Sequence, residues 1–379
     1  MEISFLKEGT GQSISFNQMI KENSVDLNDT KALDALMDAI GDSKYVLLGE
    51  ASHGTHEYYT WHAKISQRLI QEKGFSFIAV EGDWPDCYRL NRYVKHYKDA
   101  AETAQEVLRD FNRWPTWMWA NWEIVAFSEW MRKYNKPLPQ NQRIGFYGLD
   151  VYSLRESLEA IIKYLDKVDP KAKEVAMEAW KCFEPYSEDE GQSYARATQH
   201  TWVPASCESE VVDLLVEIRK RMEQYNSDPE ATLNTEQNAI VAVNAERYYR
   251  AMIKGGPLSW NIRGHHMVDT LNRLMLYHGI HAKAIVWEHN THIGDARATD
   301  MRYDKMVNVG QLVNEQHFHD GVFSVGFGSY QGSVIAGRDW GDAMRVMEVP
   351  KAKADSWEFI LHETGAKDRI VFMNEGMRK

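Results

Sequence analysis

The sequence predicts an α/β fold: a mostly parallel central sheet flanked by helices, with an inserted all-helical lobe that forms a deep cleft. Three observations lead there. Short apolar runs with polar or glycine ends recur in both halves of the chain, helical patterns lie between them, and a long helical stretch fills the middle. The runs are 45–49 (YVLLG), 76–82 (SFIAVEG), 144–150 (IGFYGLD), 282–289 (AKAIVWEH), 321–328 (GVFSVGFG) and 369–374 (RIVFMN). Runs this short suit strands buried on both faces of a parallel sheet.

After the first run, Tyr58, Trp61, Ile65 and Leu69 recur at three- and four-residue steps and mark one face of a helix, with Thr55 placed to cap it. Residues 205–225 and 234–253 read as two long helices. Asn226, Ser227, Asp228 and Pro229 separate them, because proline ends a helical pattern and the three polar residues favour a turn. A third helix is predicted from Ser259 to His278. Strands alternating with helices on either side make the core. Residues 155–275 make the lobe, and 1–379 is expected to be a single domain.

Composition narrows the function classes. The 379 residues are 44% hydrophobic and 26% charged, as in globular proteins, and the net charge is −11. Nucleic acid and anionic lipid both need a basic footprint, so neither is expected as a partner. There is no apolar leader in MEISFLKEGTGQSISF and no run of about 18 apolar residues, so neither a signal peptide nor a membrane span is expected. Cys87, Cys182 and Cys207 are too few and too scattered for a disulfide framework or a zinc knuckle. A reduced, cytoplasmic setting is the simplest expectation.

Ligands of open α/β sheets sit beyond the carboxyl ends of the strands. Four of the predicted strands end in acids or imidazoles: Glu50 and His53, Glu81, Asp150, and His289 with His292. If the strands share one direction, these groups converge on one pocket. Each also has a plainer role. Glu50 and Glu57 suit the start of a helix, where carboxylates meet unpaired N–H groups. Asp150 suits a turn, and His289 a hydrogen-bonded core position. His53 stands out, at a strand-to-helix turn beside Gly54, where backbone can yield to a substrate.

The local string Gly49-Glu50-Ala51-Ser52-His53-Gly54 is not the G-x-S-x-G nucleophile elbow, since Ser52 is out of register. Cys87 has no adjacent histidine. A histidine acting as general base on water needs only His53 and an acid to orient it, Glu50 or Glu81. No cofactor is expected. A divalent metal on His53, His289 and His292 is the rival reading, although His-x-x-His spacing is no strong zinc signature.

Together the segments 47–59 (LLGEASHGTHEYY), 77–94 (FIAVEGDWPDCYRLNRYV), 245–274 (AERYYRAMIKGGPLSWNIRGHHMVDTLNRL), 284–301 (AIVWEHNTHIGDARATDM), 308–312 (NVGQL) and 327–336 (FGSYQGSVIA) resemble the erythromycin esterase family. The resemblance runs in order from about residue 20 onward. It implies an α/β core with a helical lobe and a deep cleft. It also implies hydrolysis of a carboxylic ester by activated water, with neither a covalent intermediate nor a metal. The best-known members open macrolide lactones and confer antibiotic resistance; other relatives are described as succinoglycan biosynthesis proteins. By matching motif, the general base falls on His53 and the supporting acids on Glu50 and Glu81. The second imidazole pair falls on His289 and His292, with Arg263 beside them as an oxyanion or acid-binding group. A haem- or metal-binding protein with a related Glu-His turn, and a non-catalytic relative linked to polysaccharide synthesis, are the alternatives.

Two positions depart from the family pattern. His62 stands where an arginine is usual, and Gly264 follows Arg263 where an aspartate is usual. Relatives also continue past the point matching Lys379, so an exposed sheet edge and self-association into a homo-oligomer are expected. Trp114, Trp117, Trp119 and Trp122 cannot share one helical face, so some are expected to line a cleft for a bulky small-molecule ester. The substrate-contacting set is therefore His62, Trp117, Trp119, Glu57 and Asp150. Gly326, Gly328 and Gly332 lack the Lys-Ser/Thr of a phosphate loop and read as a tight connection.

Overall fold

The computed structural model describes residues 4–6, 13–29, 31–186, 191–199, 206–226, 228–365 and 367–373. The central sheet contains β1 (Tyr45–Glu50), β2 (Phe77–Asp83), β3 (Gly145–Asp150), β4 (Ala284–His289) and β5 (Val322–Val325). Their spatial order is β3-β2-β4-β1-β5, and every neighbouring pair is parallel. β4, late in the chain, thus lies between β1 and β2. Glu50 is level with His289, and Val80 with Trp287, so the ends of these three strands come together.

Side chains alternate across the sheet with the period of two that a pleated strand imposes. Val46, Leu48, Ile78, Val80, Ile285 and Trp287 face one side. There they pack on α1 (His56–Lys73), α2 (Trp84–Val94) and α3 (Trp122–Asn135). Leu47, Phe77, Ala79, Ala284 and Val286 face the other. Between β3 and β4 run α4 (Leu154–Val168), α5 (Pro170–Phe183), α6 (Glu208–Arg221), α7 (Ala231–Met252) and α8 (Leu258–His278). α4 to α7 share their own apolar centre around Leu158, Ala179, Val211 and Ala242. α8 differs: Met267, Val268, Leu271 and Leu274 lie directly on the sheet. The last helix of the inserted stretch is therefore also a layer of the core. Two further helices, α9 (Asn290–Ile293) and α10 (Val309–His317), follow β4.

Three expectations are corrected here. The described part of the run at 369–374, residues 369–373, is not a sixth strand of the parallel sheet: Arg369–Val371 pairs antiparallel with Ser24–Asp26, away from the main sheet, and residue 374 lies outside the described residues. Cys182 and Cys207 form a disulfide, because α5 and α6 lie side by side and bring their Cα atoms to 5.9 Å. A reducing compartment therefore no longer follows from the cysteines. Thr55 does sit at the N-cap of α1, but its hydroxyl bonds to Ser52 Oγ at 2.7 Å rather than to the helix. No described helix is long and apolar enough to cross a membrane.

A buried ion pair fastens α7 to the core. Lys95, just past α2, donates from Nζ to Glu230 Oε1 (2.6 Å) and to the Tyr147 hydroxyl (2.9 Å), while Asn91 Nδ2 donates to Glu230 Oε2 (2.6 Å). Lys95 and Glu230 are 3% and 1% exposed. Removing one member leaves the other charged and dry, which costs about 3–5 kcal/mol. Lys95→Met should lower the unfolding free energy by that amount in urea titrations, and adding Glu230→Leu should restore most of it.

Candidate active site

β1 ends in Glu50, and the turn that follows folds His53 back over it. His53 Nδ1 lies 2.6 Å from Glu50 Oε1. The turn is clamped from outside by the strand β6 (Gly332–Ala336), whose Ile335 N–H donates to Gly54 O at 3.0 Å. A Cβ on Gly54 would sit 2.0 Å from Ile335 O, so this approach requires glycine. β2 contributes Glu81 through an irregularity. Val80 pairs with Gly148 and Asp83 with Asp150, so β2 carries one residue more than β3 over that interval. Such a bulge re-aims side chains. Glu81 Oε1 comes to 4.0 Å from His53 Nε2, and Oε2 accepts the His289 backbone N–H at 2.9 Å.

Arg263 closes the cluster from α8. Its Nε and Nη2 donate to the two oxygens of Asp150 at 2.9 and 2.6 Å, and Nη2 also donates to Glu81 Oε1 at 2.7 Å. Its Nη1 lies 3.0 Å from His292 Nε2. An arginine N–H can only donate, so His292 Nε2 is the acceptor of that contact. The His292 ring stacks on Trp260, with centroids 4.7 Å apart and planes within 8°. Tyr152 lies against the guanidinium at 4.9 Å. His289 meets His53 edge-on at 5.2 Å. Its Nδ1 accepts the Thr291 backbone N–H at 3.2 Å, which places the proton of a neutral ring on Nε2.

The environments separate these groups electrostatically. Burial is the largest influence on His53 and disfavours its charge, but the Glu50 bond and the charges of Glu81 and Glu50 more than offset it. His53 therefore titrates above its ordinary value. His289 is lowered, by burial first and then by the charge of His53. Burial raises Glu50, and the His53 bond only partly compensates. Burial would also raise Glu81, yet the charge of the Arg263 guanidinium holds it well below the carboxylate range. Among the described residues no group of three or more His, Cys, Asp or Glu is arranged to hold a metal ion.

The sequence model of the erythromycin esterase family matches residues 70–378. The chain belongs to the erythromycin esterase family. It is 22% identical to an erythromycin esterase type II of Escherichia coli over 318 residues, 78% of this chain and 71% of that protein. Its fold is similar to that of a Bacillus cereus protein (TM-score 0.74, 20% identity, 93% of this chain and 83% of that one). It is also similar to a succinoglycan biosynthesis protein (TM-score 0.68, 20% identity, 92% of this chain and 83% of that one). At such identities these two likenesses concern the fold alone.

Within this erythromycin esterase fold, Glu50, His53, Glu81, Asp150, Arg263, His289 and His292 lie together. Other residues expected at the substrate lie elsewhere. His62 is buried beneath the sheet end between Trp287 and Phe327; its Nε2 lies 2.8 Å from Gly49 O, and burial lowers it to about 4. It is thus a neutral core histidine that faces inward from α1. Trp119 is also core: it packs on Tyr59 and donates from Nε1 to Glu81 O at 3.0 Å, so it supports Glu81 from behind. Glu57 is exposed on the first turn of α1. Trp117 is half-buried against Trp114.

Sequence reasoning missed Trp260 and Glu288. Trp260 lies three residues before Arg263, hence on the same helix face, and that spacing is readable. Glu288 is an acid inside an apolar strand. It is 1% exposed, and neither carboxyl oxygen has a hydrogen-bond partner. Burial, then the charge of Glu81, pushes it well above the carboxylate range, with Arg263 opposing. An unsatisfied buried polar group costs about 1–3 kcal/mol, so Glu288→Met should raise stability by that order at neutral pH. A folded-state pKa above the unfolded one means stability is lost as pH rises. The advantage of Glu288→Met in thermal unfolding should therefore shrink as pH falls from about 7 toward the ordinary glutamate value near 4.3.

Proposed function

We propose that the protein is a carboxylic ester hydrolase in which His53 activates water directly. The observation that carries this reading is the pairing of His53 Nδ1 with buried Glu50, which leaves Nε2 turned toward Glu81 at 4.0 Å. Glu50 accepts the Nδ1 proton, so the lone pair of the neutral ring is on Nε2. One water bridges Nε2 and Glu81. Nε2 takes its proton as the oxygen attacks the ester carbonyl, and Glu50 stabilises the imidazolium that forms. The Nε2–H of neutral His289 donates to the developing oxyanion. Collapse of the tetrahedral intermediate expels the alcohol oxygen, which recovers the proton from His53. The products are a carboxylic acid and an alcohol.

Arg263 has a different part from the one expected of an oxyanion group. Four of its five N–H groups are engaged by Asp150, Glu81 and His292. It therefore holds Glu81 ionised and in place. Trp117, together with Trp114, which also packs on the exposed Trp340, supplies apolar surface for the bulkier part of the ester.

The test is a panel of esters and lactones that includes erythromycin, since the Escherichia coli relative carries that name. His53→Ala should lower kcat/KM on any turned-over ester by about 10²–10⁴-fold, the usual contribution of a general base. Single turnover in ¹⁸O-water should place one label in the acid and show no acyl-enzyme burst, and chelator should leave the rate unchanged. Because only the neutral imidazole takes a proton, kcat/KM should climb with pH through a midpoint above about 6.5. Full activity in His53→Ala would rule the reading out.

A further inference from the structure

Away from this site, a groove of about 1090 Å³ runs between α2 and α4. None of Glu50, His53, Glu81, Arg263, His289 or His292 lines it. α2 follows β2 and α4 follows the adjacent β3, so both helices start at the carboxyl edge of the sheet and run side by side to the opposite edge. At the upper end Arg113 contacts both Asp83 and Glu156. At the lower end Asp99, paired with Arg92, lies within electrostatic reach of Lys167.

The groove is polar along its length. Its upper part is lined by five carboxylates, among them Asp83, Asp86 and Glu156, against the two arginines Arg89 and Arg113. Its lower part is lined by four cations, including Lys98, Lys163 and Lys167, against Asp99 and Asp228. The arginines are engaged with these acids. Among the described residues the three lysines have no hydrogen bond or ion pair. Acids at helix starts and bases at helix ends also answer the helix dipoles, about half a charge per terminus. Two parallel helices offset about one charge at each end and leave the polarity standing.

Two buried acceptors on the wall are unpartnered. Asp83 Oδ1 and Asn238 Oδ1 have no hydrogen bond, on residues only 8% and 1% exposed. Both residues line the groove with their other polar atoms held, Asp83 Oδ2 by Arg113 and Asn238 Nδ2 by Asn234, so these two oxygens are the acceptors left for a donor that enters it. Asp83 is raised to about 7 and Asp86 to about 6, by burial first in both cases, and a cation placed beside them relieves both.

We propose that this groove binds a short zwitterionic peptide, with its ammonium end toward Asp83 and Asn238 and its carboxylate end at Lys163 and Lys167. The length agrees. From Glu156, which Arg113 ties to Asp83, α4 rises about 10 Å to Lys163 and about 16 Å to Lys167 at 1.5 Å per residue, and four extended residues at about 3.3 Å each span about 13 Å, between the two. A uniformly acidic chain, such as a uronic acid oligomer, would meet repulsion in the upper half.

The probe is tetra-alanine with free termini, followed by calorimetry and by amide shifts in α2 and α4. Binding is expected, weakened at least tenfold by N-acetylation and at least tenfold by C-amidation. Lys163→Glu with Lys167→Glu should weaken it at least tenfold while lowering the melting temperature only slightly, since both side chains are exposed and unpaired and only the interaction with the helix dipole is lost. His53→Ala should bind as the wild type does. The proposal is overturned if tetra-alanine does not bind at millimolar concentration, if the capped peptides bind equally well, or if the shifts fall at His53. Binding of an oligogalacturonate in place of the peptide would also overturn it and assign the groove to an acidic saccharide.

Discussion

The guanidinium of Arg263 holds together parts that the chain keeps far apart. It joins Asp150 at the end of β3, Glu81 at the bulge of β2 and His292 in α9, and it comes from α8, the last helix of the inserted stretch. A charge this deeply buried is tolerable only when its partners surround it, and removing one partner of such a cluster costs about 3–5 kcal/mol. Burial disfavours the charge of Arg263, yet Asp150 and the other neighbours keep it firmly protonated. The consequence is geometric. Glu81 is fixed as an anion opposite His53, and α8 cannot leave the sheet without stranding three charged groups. Trp260 and Tyr152 exclude water from two faces of the same cluster.

Around that anchor, one residue type takes three electrostatic forms. His53 is raised because two carboxylates outweigh its burial. His289 is lowered by burial first and then by the charge of His53 beside it. His62, sealed among aromatic rings, is lowered to about 4 and has a structural part. The difference arises from strand order: Glu50 from β1 and Glu81 from β2 flank His289 from β4, although more than two hundred residues separate the first from the last.

The strand ends were legible because the sequence changes character there. An apolar run stops at an acid or an imidazole in each of β1, β2, β3 and β4, and parallel strands put such stops on one edge. What stayed hidden depended on long-range packing. Nothing within residues 282–289 reveals that this strand lies in the middle of the sheet. The run at 369–374 has the same apolar character as the others but pairs with Ser24–Asp26, because apolarity does not specify a partner. Trp119 looked like a cleft residue in a stretch rich in large side chains, and only its packing on Tyr59 of α1 turns it inward. The disulfide of Cys182 and Cys207 depends on α5 and α6 being neighbours, which spacing alone does not determine.

The account rests on a proton held between His53 and its two carboxylates, and titration of the His53 ring by NMR observes that directly. Its midpoint should lie above about 6.5 in the wild type. In Glu50→Gln it should fall relative to the wild type, because the charge that Glu50 sets against burial is lost while that of Glu81 remains. A ring that titrates at the ordinary histidine value in both proteins would contradict the account.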